Sequence, residues 1–357
     1  MTSQAIDQAQ VEAFAGRLLG ILQGGAQTLL LSIGHRTGLF DTLSTLPPST
    51  SQQIADAAGL NERYVREWLA GMVVGRIVEY DPAARTYVLP PVHAAMLTRA
   101  AGPKNMAVVA RLVALGASVE GAVVDCFRNG GGVPYSAFPG VSELLADLNR
   151  PVIDATLLQS TLPLVPGLVD RLRAGIDVAD VGCGAGHAGN VMAQAFPNSR
   201  FVGFDFSEES IASARREAQE LGLTNSRFEV RDVTTLDEEA AYDLITVFDA
   251  IHDQAQPKVV LKAIHRALRP GGAYLMADIA GSSNLEENLE HPLAPINYAV
   301  SLTHCMTVSL ALGGEGLGNM WGEQTTVAYL KEAGFQNVTV KQVEGDILNN
   351  FYICTKS

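Results

Sequence analysis

The sequence predicts an α/β protein, a parallel sheet with crossover helices preceded by a mainly helical winged-helix domain. Three observations carry that expectation. From Ile176 onward, apolar runs of strand length alternate with helical stretches, the pattern of parallel strands joined by helices. Around Thr50 the chain reads helix, turn, helix, then two short alternating segments. Between Val178 and Gly189 a glycine-rich turn, "VADVGCGAGHAG", follows a strand and opens a helix.

The bulk numbers bound the function. The 357 residues suffice for two ordinary domains, and hydrophobic residues make up 47% of them, enough for a sizeable core. The net charge of −13 opposes unaided binding to nucleic acid or anionic membrane. No apolar run has the length of a membrane span. The opening "MTSQAIDQAQ" lacks a basic segment followed by an apolar one, so no signal peptide is expected. Cys126, Cys183, Cys305 and Cys354 are widely spread. None forms a C-x-x-C pair, so no metal knuckle or redox pair is expected, and reduced thiols in the cytoplasm fit best.

The elements follow in order. The region 1–100 reads helical, with apolar residues such as Phe14, Leu18, Leu19, Ile21, Leu22 and Leu29–Leu31. They exceed what one buried face needs, which makes this region a candidate homodimer interface. A cap-like Ser51 precedes a short helix with Ile54 and Ala58, and Gly59 ends it. Asn61 then caps a helix whose apolar face is Val65, Trp68, Leu69, Met72 and Val73. "RIVEY" and "TYVLP" read as two strands around the turn "DPAAR", a wing. A DNA-reading winged helix needs a basic face. The first hundred residues carry seven Lys and Arg against eight Asp and Glu, a net of −1. Packing and dimerisation are the expected use.

The region 101–173 reads as a helical linker interrupted by "RNGGGVPYSAFPG". That loop brings Tyr135 and Phe138 forward as pocket-lining candidates. Region 174–357 supplies the strands "IDVADVG", "RFVGFD", "RFEVRD", "YDLITVFD" and "GAYLMADI". It ends in "NVTVKQV" and "FYICTK", close enough to form an antiparallel hairpin.

Two glycine patterns overlap in the turn. Gly184, Gly186 and Gly189 spell the dinucleotide fingerprint, which places its first glycine directly after the strand. Here the strand ends at Val181, so the strand-adjacent glycine is Gly182 and that fingerprint is out of register. Asp180, Gly182, Gly184 and Gly186 form the competing pattern, an acid followed by glycines at alternate positions. An acid at the strand end suits a ligand with positive charge.

These residues resemble the class I S-adenosylmethionine-dependent methyltransferases from Ile176 to the C-terminus. The resemblance implies a Rossmann-like seven-stranded sheet of order 3-2-1-4-5-7-6 with the last strand antiparallel. It implies S-adenosylmethionine as cofactor and S-adenosylhomocysteine as product. In "DVGCGAG", Asp180, Gly182, Gly184 and Gly186 are implied to hold the methionine end. Asp205 in "FVGFDFS" would bind both ribose hydroxyls, with Phe206 after it. Asp232 and Val233 in "EVRDV" would meet the adenine, and Phe248 completes the set. The winged helix ahead of this domain resembles that of plant and polyketide small-molecule O-methyltransferases and of mycobacterial-type methyltransferases. That likeness implies a dimer through the N-terminal domain and a small-molecule acceptor.

In those O-methyltransferases a histidine after the fourth strand is the base. His252 in "AIHDQ" matches it, and Asp278 and Glu323 match the two flanking acids by order. The pattern departs in two places: Gln254 stands for a tryptophan, and Asp278 is one methylene shorter than the usual glutamate. A long insertion at about 281–320 is expected to cover the substrate. It contains "INYAVSLTHCMTVSLAL", with Tyr298, His304 and Met306, and Trp321 follows. With Tyr135 these are the substrate-binding candidates, and an apolar cover implies a largely apolar acceptor. His187 and Cys183 lack partners for a metal site. Transfer to carbon, nitrogen or sulfur without a histidine base, and a DNA-binding regulator that senses the cofactor, are the alternatives.

Overall fold

The computed structural model describes residues 6–357. It divides into two compact units, Met1–Ala114 and Leu115–Ser357. Most of the expected 101–173 linker therefore belongs to the second unit.

The first unit begins with a helix over Gln8–Thr37. Asp7 accepts from Ala9 N–H at its start, and Gly38, at φ 72°, ends it. The helix expected after Ser51 is capped one residue earlier. Thr50 accepts from Gln53 N–H while the Gln53 side chain returns to Thr50, a reciprocal capping box, and the helix runs Ser51–Ala58. Ser51 instead lies inside the first turn, because only Thr50 has the extended backbone a cap requires. Asn61 caps the helix Glu62–Val74 as expected. Val65, Trp68, Leu69 and Met72 are buried against Phe40 and Ile54, and Trp68 meets Phe40 edge-on at 5.3 Å. Val73 is only partly buried. The wing is β1 (Glu79–Asp81) and β2 (Thr86–Val88), paired antiparallel.

The second unit carries β3 (Asp177–Val181), β4 (Arg200–Asp205), β5 (Ser226–Val230), β6 (Tyr242–Phe248), β7 (Leu268–Ile279), β8 (Val338–Val343) and β9 (Asp346–Thr355). Their order across the sheet is β5-β4-β3-β6-β7-β9-β8. Counted within the unit, that is 3-2-1-4-5-7-6. β3 to β7 run parallel, and β9 is antiparallel to both neighbours.

Alternation along the strands explains the two cores. Ile245, Val247, Tyr274 and Met276 face the helices Pro257–Ala267 and Gly322–Glu332. Leu244, Leu275 and Val178 face the other side with Leu168 and Met192. Each such fully buried aliphatic side chain contributes about 1.5–3 kcal/mol. The registers Val181↔Phe204, Asp205↔Val230 and Asp180↔Thr246 bring the carboxyl ends of the central strands together. Ligands of open α/β sheets bind at that edge.

The expected 281–320 insertion is mostly helical, with Ala294–Val300 and Met306–Ala311 joined by a wide turn over Ser301–Cys305. In that turn Met306 N–H reaches back five residues to Ser301 O, a π-type bond. No single helix among the described residues is long and apolar enough to cross a membrane.

Candidate functional site

The glycine turn decides between the two overlapping patterns. Gly182 and Cys183 N–H both bond Phe204 O, at 2.8 and 3.0 Å. Gly182, Gly184 and Gly186 have φ of 71°, 52° and 74°, where a side chain is strained. A Cβ on Gly182 would lie 2.5 Å from the Ala250 methyl, and one on Gly186 would overlap Ala214 and the Phe228 ring. Beside Gly184 nothing lies within 4 Å of that position, so this glycine borders open space. Gly189 lies within the helix His187–Ala195 at ordinary contact distance from Phe228. The alternate glycines build the turn, and Gly189 takes no part in it.

Buried acids surround this turn. Asp205 Oδ2 accepts from Gly184 N–H and Oδ1 from Ser207 N–H, both at 2.9 Å. Burial raises the Asp205 pKa and these two donors only partly offset it. Asp180 Oδ1 accepts from Thr246 Oγ1 at 2.8 Å. Burial pushes its pKa up to about 7, with Thr246 opposing and Asp205 reinforcing. Among the described residues neither acid has an ion-pair partner, so a bound cationic group would relieve both. Asp232 is exposed and caps the short turn Val233–Thr235 by accepting from Thr234 N–H and Oγ1, at 2.9 and 2.7 Å. Val233 is buried, Phe248 is partly buried at the end of β6, and Phe206 is exposed.

Past β6 the chain turns sharply. Asp249 has φ 52° and a buried Oδ1 without a hydrogen-bond partner. Burial, then the charge of Asp278, raises its pKa to about 8. Nothing in the sequence singles Asp249 out, because a strained backbone on a non-glycine residue leaves no composition signal. His252 follows and is 3% exposed. Its Nδ1 bonds Asp278 Oδ1 at 2.8 Å. The same oxygen accepts from Ile279 N–H at 2.9 Å and from Trp321 Nε1–H at 3.1 Å. Its other oxygen, Oδ2, is buried without a partner. Burial disfavours the charged imidazole, but the carboxylates of Asp278 and Asp253 and bonds to Asp278 and Cys305 outweigh it. The His252 pKa stands well above its ordinary value.

The structure brings His252 and Asp278 together and leaves Glu323 apart. Glu323 Oε2 accepts from Asn350 Nδ2 at 3.3 Å, and no hydrogen bond or ion pair joins it to His252 among the described residues. The second carboxylate on the ring is Asp253, whose Oδ1 lies 3.3 Å from His252 Nε2. Asp253 adjoins the histidine in sequence, yet its role depends on how the turn folds back. Cys305 arrives from the insertion and was invisible for the same reason.

The expected substrate residues divide likewise. His304, 6% exposed, packs edge-on against Phe138 at 4.8 Å and Tyr135 at 5.9 Å. Tyr135 also meets Phe206 at 5.3 Å. His304 Nε2 has no partner, and burial lowers its pKa. Val133 N–H bonds Thr307 Oγ1 at 2.8 Å. A Cβ on Gly132 would overlap the Thr307 carbonyl, so only glycine permits this approach of the loop to the insertion. Tyr298 lies further out and accepts from Asn288 Nδ2 at 3.2 Å. Met306 is partly buried. Trp321 is buried and braces Asp278. His187 is held by Glu217 and Asp154, each at 2.8 Å.

Comparison with known proteins gives two matches along the chain. Residues 25–99 match the Rv2258c-like winged HTH domain, and residues 172–343 match a methyltransferase domain. Trans-aconitate 2-methyltransferase of Variovorax paradoxus is 31% identical over 125 residues, 35% of this chain and 44% of that protein. A ubiquinone biosynthesis O-methyltransferase of Leptothrix cholodnii is 30% identical over 109 residues, 29% of this chain and 45% of that one. The chain thus spans less than half the length of these relatives. Human N-acetylserotonin methyltransferase, solved in complex with SAM, superposes over 100% of both chains with TM-score 0.69 at 18% identity. That likeness is one of fold. The chain thus matches a winged helix-turn-helix domain followed by a methyltransferase domain.

Proposed function

We propose that this winged-helix, S-adenosylmethionine-dependent methyltransferase methylates a hydroxyl oxygen of a small, largely apolar acceptor, with His252 as the base. The observation that carries the reading is the buried His252–Asp278 pair at 2.8 Å, beyond the strand end that neighbours the glycine turn. When bound, S-adenosylmethionine supplies a methyl group on a sulfonium centre. Gly184 borders open space for its methionine end, Gly182 and Gly186 let the turn pack against Ala250, Ala214 and Phe228, and Asp180 offers negative charge. Asp205 keeps lone pairs for two ribose hydroxyls. Phe206, Asp232, Val233 and Phe248 are assigned to the adenosine.

Asp278 fixes the ring of His252 through Nδ1, and the deprotonated ring, favoured as pH rises, offers Nε2 to the acceptor proton. To reach Nε2 the hydroxyl must displace Asp253, whose Oδ1 lies 3.3 Å from that nitrogen and whose side chain is partly exposed. Tyr135, Tyr298, His304 and Met306 are assigned to the acceptor, with Trp321 and Glu323 as supports. The apolar Gln8–Thr37 helix is assigned to a homodimer, and the cytoplasm is the proposed location.

Replacing His252 by alanine tests the reading. Turnover should fall about 10²–10⁴-fold, the usual worth of a general base, while S-adenosylhomocysteine binds as before. Part of the loss should return at high pH with a phenolic acceptor, which then ionises unaided. Full rate in His252→Ala would sink the base and move a carbon, nitrogen or sulfur acceptor ahead.

A further inference from the structure

The geometry points to a metal site, for a borderline-soft divalent cation of the zinc class, formed by His252, Asp253 and Cys305. Their ligand atoms, one nitrogen, one oxygen and one sulfur, all lie within 4.8 Å of one another. His252 Nε2 and Asp253 Oδ1 are 3.3 Å apart. A tetrahedral zinc with N and O bonds of about 2.0–2.1 Å separates two ligands by about 3.3–3.4 Å, so this edge is already formed. His252 and Cys305 are buried, and so is the Oδ1 atom of Asp253.

A second observation is independent of those three atoms. The far ring nitrogen, Nδ1, is held by the Asp278 carboxylate at 2.8 Å. Metal-ligating histidines characteristically give their other N–H to a carboxylate, which fixes the tautomer and aims the free lone pair. Asp278 is itself fixed by Ile279 N–H and Trp321 Nε1–H. Three protein ligands leave a fourth position for water, as in open zinc sites. On binding, the Cys305 thiol proton passes to solvent as the sulfur–metal bond forms.

The cation and the base compete for one lone pair. Nε2 cannot hold a metal and accept a proton from the acceptor at once, so zinc should inhibit transfer reversibly. That consequence rests on the proposed base; the binding site does not.

The test uses the full chain and two probes, zinc and cadmium. Cadmium should bind one per chain and give the ultraviolet charge-transfer band of a cadmium thiolate. The band should vanish in Cys305→Ser and persist in Cys126→Ser. Asp278→Asn should weaken zinc about 10–100-fold, the usual cost of removing such a supporting carboxylate. S-adenosylhomocysteine binding certifies that each variant is folded. No band in the parent chain, or a band retained in folded Cys305→Ser, overturns the site whether or not methyl transfer is observed. Cadmium binding without inhibition by zinc keeps the site and counts against His252 as base.

Discussion

Gly184 N–H meets Asp205 Oδ2 at 2.9 Å, which ties the turn after β3 to the end of β4. The carboxylate that is assigned to the ribose thus also shapes the glycine turn. Asp205→Ala removes both functions, and S-adenosylhomocysteine should bind about 1.5–3 kcal/mol more weakly, the range for hydrogen bonds to a charged group. Calorimetry measures this directly, and the parent protein should show no heat with NAD. Binding of NAD in preference to S-adenosylhomocysteine would end the cofactor assignment.

The glycines offer a sharper comparison. Gly182→Ala places a side chain in left-handed backbone, at about 1–2 kcal/mol, and drives it into Ala250. Gly189→Ala meets only ordinary contacts in a helix and should be neutral or stabilising by up to about 1 kcal/mol. Chemical denaturation of the two variants separates the patterns. Equal losses at both positions would contradict the assignment of the turn.

Glu217 should give the fold an acid-sensitive fastening. Burial raises its pKa, but His187, Asn190 and Arg150 outweigh that and hold it at about 2. A depressed carboxylate stabilises fully above the ordinary range near ~4.3 and loses that contribution as pH falls toward 2. Glu217→Gln should cost about 1–2 kcal/mol at pH 7, allowing for solvent screening. The gap to the parent should narrow as the solution is acidified through pH 4. A gap that stays constant with pH would show that shape, not charge, is what Glu217 contributes.

The N-terminal helix tests assembly. Phe14, Leu18, Leu19, Ile21 and Leu22 are each at least 44% exposed. Light scattering should give twice the chain mass at micromolar concentration, and the double change Leu18→Asp and Leu22→Asp should halve it. A monomeric parent protein would refute the dimer.

What was legible in the sequence follows from the range of the physics involved. Strands, caps and the glycine turn depend on neighbours within a few residues, so β3, β4, β6 and β8 could be read to about a residue, whereas β7 and β9 begin earlier, at Leu268 and Asp346, than their apolar runs suggest. The Thr50 cap was missed by one position because Thr50 and Ser51 are chemically alike and backbone angle alone separates them. The site was legible only where strand ends deliver it. Asp205 ends its strand, Asp180 and Asp278 stand one residue before the ends of theirs, and the sheet aligns them. Cys305 lies 52 positions beyond Asp253 by their numbering, and Asp249 acts through a backbone angle. Glu323 matched by order, yet its side chain is engaged by Asn350.

The wide turn at Ser301–Cys305 holds one residue more than a regular helix needs. Removing one residue there would restore ordinary pitch and rotate one flank against the other by about 100°. His304 would leave its aromatic neighbours, and Cys305 would leave His252. No single replacement moves both at once, whereas the loss of one codon does. Chain length, rather than side-chain identity, thus sets how His304 and Cys305 are presented, by a feature separate from the glycine turn.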